Sequence, residues 1–303
     1  MVINAITLGY AVPHNGFEAS VHSSFRSAAN LKLDGDRYLL TLLVRSETDL
    51  PQGIRVNSPQ GFSFENLPIN ERIICQDGIL RFERSLLMID LKKALRWECN
   101  LSTFSLETTS LQFSAAWRKV WQLLNDRQRL YGAEIVTENL LHPQDVQGSI
   151  LFQRLVKGVT GLLEATERYD TKTTEPVAAL IGLGSGLTPC GDDLLVGYMA
   201  GLTCRTGGNI TRKNFISELG KTLIEASERT TDISRTYLYH STHGQFSRNL
   251  ADLAEAICKG MDTNQLYAIA ASVFQMGQTS GMDAVTGLLL GLGAWEGVNF
   301  NLL

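Results

Sequence analysis

The chain contains one short pattern of small residues twice, and this repetition limits how its second half can fold. Both copies read Gly-x-Asp-x3-Gly-x3-Gly, over residues 191–201 and again over residues 281–291. A Gly-x-Thr triplet precedes each copy, with one extra residue after it in the first. Each copy predicts a tight turn that places an aspartate in the first turn of a helix. If the glycine faces pack together, both aspartates and both helix N-termini converge at one end.

Composition sets wide limits on the class of protein. A length of 303 residues allows one large domain or two ordinary ones, and 44% hydrophobic residues are typical of a globular chain. The net charge of -4 gives no general attraction to nucleic acid or acidic membranes. The five cysteines lack a Cys-x-x-Cys pair, which favours a reducing compartment. We read no signal peptide and no membrane span, so we expect a cytoplasmic protein without nucleic-acid or membrane partners.

The first third of the chain has the pattern of a β domain. Residues 38–44 are typical of a buried strand, and the Asp77-Gly78 turn between two apolar runs predicts a hairpin. We expect a short helix over residues 20–31. Residues 1–113 are therefore predicted to form a small β-sandwich or barrel-like domain.

From residue 114 onwards the apolar residues recur at helical spacing, which predicts an all-helical domain over residues 114–303 and an α+β fold for the chain. Residues 169–176 are polar and predict a loop. The predicted helices cover residues 114–130, 147–167, a segment ending near 204, 215–228, 233–240, 247–259, 265–276 and a last segment ending near 297.

The first copy of the motif has the features of an anion site at a helix N-terminus. Thr188 is predicted as the N-cap and Pro189 as the first helical residue, since proline lacks an N–H that would be unpaired there. The N–H groups of Cys190 and Gly191 are then expected to point outward with the positive end of the helix dipole. The spacing fits neither the Walker pattern nor the dinucleotide fingerprint.

These considerations define candidate residues for catalysis and binding. The carboxylates are expected to position a substrate or a divalent cation such as Mg²⁺, or to act as general base; they are Asp192, Asp193 and Asp283. The residues expected to bind a small anionic substrate are Gly184, Ser185, Gly186, Thr188, Gly191, Ser234, Thr279, Ser280 and Gly281. The alternative is that the motifs only cap and pack helices, since glycines four apart also build close helix contacts.

Two further features have simpler interpretations. Cys190 at a helix N-terminus is expected to have a lowered pKa, but no base is evident beside it. His240 and His243 lie three residues apart without a third ligand, so a metal pair there is a weak hypothesis, and the metal ligands stay unknown.

Residues 182–193 resemble the signature loop of the AllH family, and residues 277–283 resemble its later Gly-x-Thr-Ser-Gly-x-Asp segment. Thr231 and Ser234 lie where the family has a Thr-x-x-Ser pair, and residues 21–31 resemble its weak opening motif. The chain departs from the family at Cys190, where serine is frequent, so a hydroxyl contact is not expected there.

The resemblance implies a subunit that acts beside two other proteins in an oxamate carbamoyltransferase of allantoin breakdown. That enzyme interconverts oxalurate plus phosphate with oxamate plus carbamoyl phosphate, all of them small anions. Two alternatives stay open: a non-catalytic structural subunit of such a complex, and a stand-alone protein that binds a phosphorylated metabolite.

Overall fold

The computed structural model describes residues 1–105, 111–131, 136–141 and 149–295. The predicted start of a helix at residue 147 and the predicted end of the last helix near residue 297 lie outside these ranges. The chain divides into two compact units, Met1–Asn100 and Leu101–Leu303. The boundary predicted after residue 113 falls within the first helix and stays a prediction. The predicted α+β class is confirmed, because the first unit is built of strands and the second of helices.

The first unit is a closed β-barrel. Its sheet order is β5-β4-β3-β2-β6-β7-β8-β1, and an antiparallel pairing between β1 and β5 closes the ring; β9 adds to β1 on the outside of this order. The strands are β1 Val2–Gly9, β2 Phe17–Ser24, β3 Ala28–Leu33, β4 Leu39–Leu43, β5 Gly53–Val56, β6 Arg72–Gln76, β7 Ile79–Phe82, β8 Met88–Asp90 and β9 Leu95–Trp97.

The period of two along the strands explains why this segment closes around an apolar core. In β6, Ile73 and Cys75 are buried while Arg72 and Gln76 are exposed. Alternate side chains of a strand point to opposite faces, so these buried residues line the barrel interior. The predicted hairpin is confirmed: β6 pairs antiparallel with β7 across the turn at Asp77 and Gly78, both at positive φ.

The helix predicted over residues 20–31 is wrong. These residues form parts of β2 and β3, which pair as an antiparallel hairpin. Val21 and Leu31 face each other in that pairing and are both fully buried. The serines of the segment had obscured an alternating pattern, and burial against the barrel core selects the strand.

Helices make up the second unit. Within the described residues they are α1 Leu111–Leu130, α2 Thr137–Leu141, α3 Ile150–Glu167, α4 Thr174–Leu180, α5 Cys190–Cys204, α6 Ile210–Ala226, α7 Asp232–Thr242, α8 Arg248–Lys259, α9 Thr263–Phe274 and α10 Ser280–Ala294. In the same ranges, no helix combines the length and apolar character that crossing a membrane requires.

The loop predicted over residues 169–176 is shorter than expected, because α4 begins at Thr174. Pro176 is the third residue of this helix. The first N–H groups of a helix have no acceptor within it, so proline is tolerated there. The side chains of Val177 and Leu180 are buried, which gives this short helix its packing.

Candidate active site

The two glycine-spaced helices, α5 and α10, run parallel with their backbones in contact. A Cβ atom on Gly197 would lie 1.8 Å from the carbonyl oxygen of Ala284, and one on Gly287 would lie 1.9 Å from that of Leu194. Gly201 and Gly291 make equally close backbone approaches one turn further along. No side chain fits between these helices, so the glycines determine how closely they pack. Because the contacts advance in the same direction along both helices, the N-termini lie at the same end.

Side chains from both helices meet at that end. The hydroxyl groups of Thr188, just before α5, and Ser280, the first residue of α10, are 2.7 Å apart and share a hydrogen bond. Asp193 lies in the first turn of α5 and Asp283 in the first turn of α10. Asp283 is near enough for its charge to raise the pKa of Asp193. The predicted convergence of the two helix N-termini and these two aspartates is confirmed.

The carboxyl group of Asp193 is held away from solvent. Its Oδ2 atom is buried and has no hydrogen-bond partner among the described residues. Burial raises the pKa of this carboxyl well above its ordinary value, and the charge of Asp283 raises it further. The hydroxyl groups of Ser280 and Thr188 oppose this by stabilising the charged form. The balance favours a protonated Asp193 under conditions where an exposed aspartate is ionised.

Asp283 titrates closer to neutrality. Burial raises its pKa to about 7, and the hydroxyl group of Thr279 works in the opposite direction. Two carboxyl groups at one site cannot both ionise easily, because each charge disfavours the other. The raised pKa values of both groups therefore favour a proton on the Asp193–Asp283 pair at a pH where exposed aspartates have lost theirs.

The third predicted carboxylate, Asp192, points elsewhere. It is 1% exposed and accepts a 2.8 Å hydrogen bond from the Gly182 amide together with a hydrogen bond from the Thr230 hydroxyl. Consecutive helical residues point about 100° apart, so Asp192 faces α7 while Asp193 faces α10. Burial raises the pKa of Asp192, and these two hydrogen bonds lower it. The structure thus separates Asp192 from the other two aspartates.

Asp192 and α7 together hold the glycine-rich loop in place. Thr231 caps α7 by accepting a hydrogen bond from the Ser234 amide at 3.1 Å, and its hydroxyl donates to the Leu187 carbonyl at 2.7 Å. Ser234 is buried beneath the loop, where its hydroxyl lowers the pKa of Asp192 but has no regular hydrogen-bond partner. Thr230 is a contact that the sequence analysis missed, because it lies outside both glycine motifs.

The loop itself contains the remaining residues predicted for the first copy. Gly184 and Gly186 have φ of +113° and +94°, a conformation that favours glycine. Ser185 and Gly186 are exposed, and a Cβ on Gly184 would lie 2.9 Å from the Cys190 amide nitrogen. The backbone is therefore tightly folded against the start of α5, and the tip of the loop is open to solvent.

Two predictions about the start of α5 are wrong. Pro189, not Thr188, is the N-cap, and the helix begins at Cys190. The Gly191 amide is not free, because it donates to the Leu183 carbonyl at 2.9 Å. Thr188 lies one residue before the cap, which leaves its hydroxyl available for Ser280.

The second copy repeats this construction on a shorter loop. Thr279 is the N-cap of α10, and Gly281 donates to the Met276 carbonyl at 3.0 Å, as Gly191 does to Leu183. A Cβ on Gly281 would lie 1.9 Å from the Val273 carbonyl oxygen. Both motif glycines therefore pack the first helical turn onto the preceding segment.

The predicted lowering of the Cys190 pKa is also wrong. Burial, together with the charges of Asp283 and Asp193, raises the pKa of this thiol to about 12. Burial and the two charges raise the pKa by more than the helix N-terminus lowers it. Cys190 is therefore a protonated thiol, and it donates a hydrogen bond to the Leu183 carbonyl at 3.2 Å.

No group of three or more His, Cys, Asp or Glu side chains in the described ranges is arranged to hold a metal ion. His240 is buried, and burial followed by the charge of His243 lowers its pKa to about 3. His243 is exposed and contacts the Tyr239 carbonyl through Nδ1 at 2.8 Å. The two histidines thus occupy different environments.

Fold and site together define a class: an α+β protein in which two parallel helices present paired carboxyl groups at their shared N-terminal end. Residues 180–292 match the family model described as oxamate carbamoyltransferase subunit AllH, and residues 5–96 match the AllH family N-terminal domain. The chain belongs to the AllH family. No curated protein and no solved structure gives a significant match.

Proposed function

We propose that this chain is a cytoplasmic subunit of a carbamoyltransferase that acts on oxamate or oxalurate and carbamoyl phosphate in allantoin degradation, and that the Asp193–Asp283 pair moves the proton. The family description supports the reaction class. The observation that supports the role of this subunit is the meeting of two helix N-termini with two partly buried carboxyl groups whose pKa values are raised.

The reaction requires a base. In the direction of oxalurate synthesis, the amide nitrogen of oxamate attacks the carbonyl carbon of carbamoyl phosphate. A new C–N bond forms, the C–O bond to phosphate breaks, and phosphate leaves with that electron pair. The attacking nitrogen must lose one proton, which goes to a carboxylate of the pair. In the reverse direction the same carboxyl group returns the proton to the nitrogen that leaves.

Asp283 has the pKa that such a base needs. General acid–base catalysis is most effective when the pKa lies near the working pH, because both forms are then populated. Burial raises the pKa of Asp283 to about 7, whereas an exposed aspartate would be a much weaker base. Asp193, more strongly shifted towards its protonated form, is suited to donate a hydrogen bond to a substrate oxygen.

The surroundings suit a small anion with an amide group. Two parallel helix dipoles each place about half a positive charge at their N-termini, which favours a bound carboxylate or phosphate and developing negative charge. Thr188, Thr279 and Ser280 contribute hydroxyl groups that can donate or accept hydrogen bonds. The open tip of the loop, Ser185 and Gly186, supplies backbone near the same end. We assign to Asp192 the role of holding this loop in position.

The second candidate function is that of a non-catalytic structural subunit. It is favoured by the glycine seam, which is the line of close backbone contacts that Gly197, Gly201, Gly287 and Gly291 make between α5 and α10. Backbone contact along α5 and α10 explains the glycines without any ligand. It does not explain why two carboxyl groups are buried at one end, since burial of unpaired charge is unfavourable. A stand-alone protein that binds a phosphorylated metabolite would have the same site but would catalyse no reaction. Purification shows whether the chain is isolated with companion subunits or without them, and this distinguishes the stand-alone protein from a subunit of a complex.

The test uses the full chain reconstituted with its companion subunits, with EDTA added in parallel to detect a requirement for a divalent cation such as Mg²⁺. We expect Asp193→Asn and Asp283→Asn each to fold normally and to reduce turnover by about 10²–10⁴-fold. Asp126→Asn is the matched control, because Asp126 is 76% exposed on α1. Normal turnover by both site variants would contradict the proposal and support the structural alternative.

A further inference from the structure

A second candidate binding site lies within the barrel unit. A cavity of about 440 Å³ opens at one end of the barrel, where β1, β6 and β8 end and β2 begins. We call it the barrel-mouth cavity. Its lining comes from the loop before β2, the turn after β6 and the segment that follows β8. Small-molecule sites have volumes of roughly 300–1,000 Å³ and occur at the mouths of β-barrels.

The floor of this cavity is apolar. Leu8, Cys75 and Leu91 belong to the buried barrel core and are 5%, 5% and 7% exposed. Pro13 and Ala94 extend the same apolar surface towards the opening. A floor of this kind favours the carbon skeleton of an organic molecule over a small inorganic ion, because burying apolar surface is favourable.

The rim carries positive charge. Arg96 donates through Nη1 to the Val12 carbonyl at 2.5 Å and through Nη2 to the Pro13 carbonyl at 3.3 Å. These acceptors are neutral, so they hold the guanidinium in place without cancelling its charge. Lys92 lies beside the Gly78 turn, whose backbone at φ +71° would bring a Cβ within 2.9 Å of the Lys92 side chain. The Lys92 ammonium makes no hydrogen bond or ion pair with other described residues.

Three further polar side chains on the rim are also unengaged within the described ranges. His14 and Asn15 come from the loop before β2, and Asp77 comes from the turn after β6. They can donate to and accept from hydroxyl, amino or amide groups of a ligand. Polar groups that converge above an apolar floor can fix the orientation of a small organic molecule.

We propose that the barrel-mouth cavity binds an organic anion whose carboxylate or phosphate contacts Lys92 and Arg96. Its carbon skeleton lies on the apolar floor, and its remaining polar groups face His14, Asn15 and Asp77. The volume suits a molecule several times the size of oxamate, and the proposal uses only residues of the barrel unit, so it does not depend on the proposed carbamoyl-transfer site.

Isothermal titration of the full chain tests this with two probes, citrate for the carboxylate chemistry and adenosine 5′-monophosphate for the phosphate chemistry. Lys92→Gln removes an ammonium charge that lines the cavity, and Lys93→Gln is the matched control, since the neighbouring lysine is exposed and does not line the cavity. We expect saturable binding of one probe and about tenfold weaker binding after Lys92→Gln, with no change after Lys93→Gln.

Each possible result of the titration either identifies the class of ligand or overturns the proposal. Binding of citrate alone identifies a carboxylate ligand, and binding of the nucleotide alone identifies a phosphate ligand. Failure of both probes to bind at millimolar concentration overturns the proposal. Equal weakening by both lysine variants also overturns it, because that result indicates a general charge effect. Circular dichroism of each variant verifies that the barrel is intact.

Discussion

Replacing Asp283 by asparagine should make the protein more stable at neutral pH, which is unusual for a residue in a packed site. Burial raises the pKa of Asp283 from 3.8 to about 7. Between these two pH values the folded chain holds a proton that the unfolded chain has released. Stability therefore falls as pH rises through this interval and levels off above about pH 7.

The size of the effect follows from the same two pKa values. Each pKa unit corresponds to about 1.4 kcal/mol, so ionising Asp283 in the folded state costs up to about 4 kcal/mol. Asparagine has a similar shape, carries no charge and can still bond to the Thr279 hydroxyl. We expect the stability difference between Asp283→Asn and the native chain to be about 1.5 kcal/mol at pH 5 and to grow to about 4 kcal/mol at pH 8.

Urea denaturation at pH 5, 6, 7 and 8, followed by circular dichroism, measures this difference. Asp126→Asn on the exposed side of α1 should give a difference close to zero at every pH. If Asp283→Asn is less stable than the native chain and its difference does not depend on pH, Asp283 is ionised at no cost. The argument for a shared proton, and with it the assignment of Asp283 as base, would then be refuted.

Two other predictions test the packing and the electrostatics of the same region. Gly197→Ala should destabilise the fold by about 1–3 kcal/mol, because the added Cβ must move from 1.8 Å to an ordinary contact distance from the Ala284 oxygen. Gly220→Ala in α6 is the control, because its Cβ would meet Thr242 at 3.3 Å and its effect on stability should be nearly neutral. Thermal unfolding of both variants measures the difference. Equal losses of stability in the two variants would contradict the packing role of Gly197. Cys190 should react with iodoacetamide at pH 8 far more slowly than free cysteine, because its pKa is raised to about 12, and reaction at the free-thiol rate would show that it is ionised.

Local signals in the sequence predicted much of the fold. The Asp77-Gly78 turn identified the β6–β7 hairpin, and the helical spacing of apolar residues identified α1. The segment from Ser20 to Leu31 was misread because its serines weakened the alternation, and only the closed barrel makes that alternation decisive. Helix α4 was missed because seven residues give too little periodicity.

The site was predictable only in part. The doubled motif indicated that Asp193 and Asp283 would meet, since their glycines required close helix packing. The contact between Thr188 and Ser280 joins residues 92 positions apart, so no local pattern indicates it. The pKa of Cys190 was predicted in the wrong direction because the helix dipole is visible in sequence, whereas burial and two neighbouring carboxyl groups are not.

The backbone contact between α5 and α10 also governs how the candidate active site can respond to its surroundings. Most helix pairs are separated by side chains, which can change rotamer and absorb small shifts. Here peptide groups touch directly at Gly197 and Gly287, so a displacement of one helix is passed to the other. The two aspartates therefore behave as parts of one rigid body. Any ligand or partner protein that displaces one helix of the pair is therefore expected to displace both aspartates together.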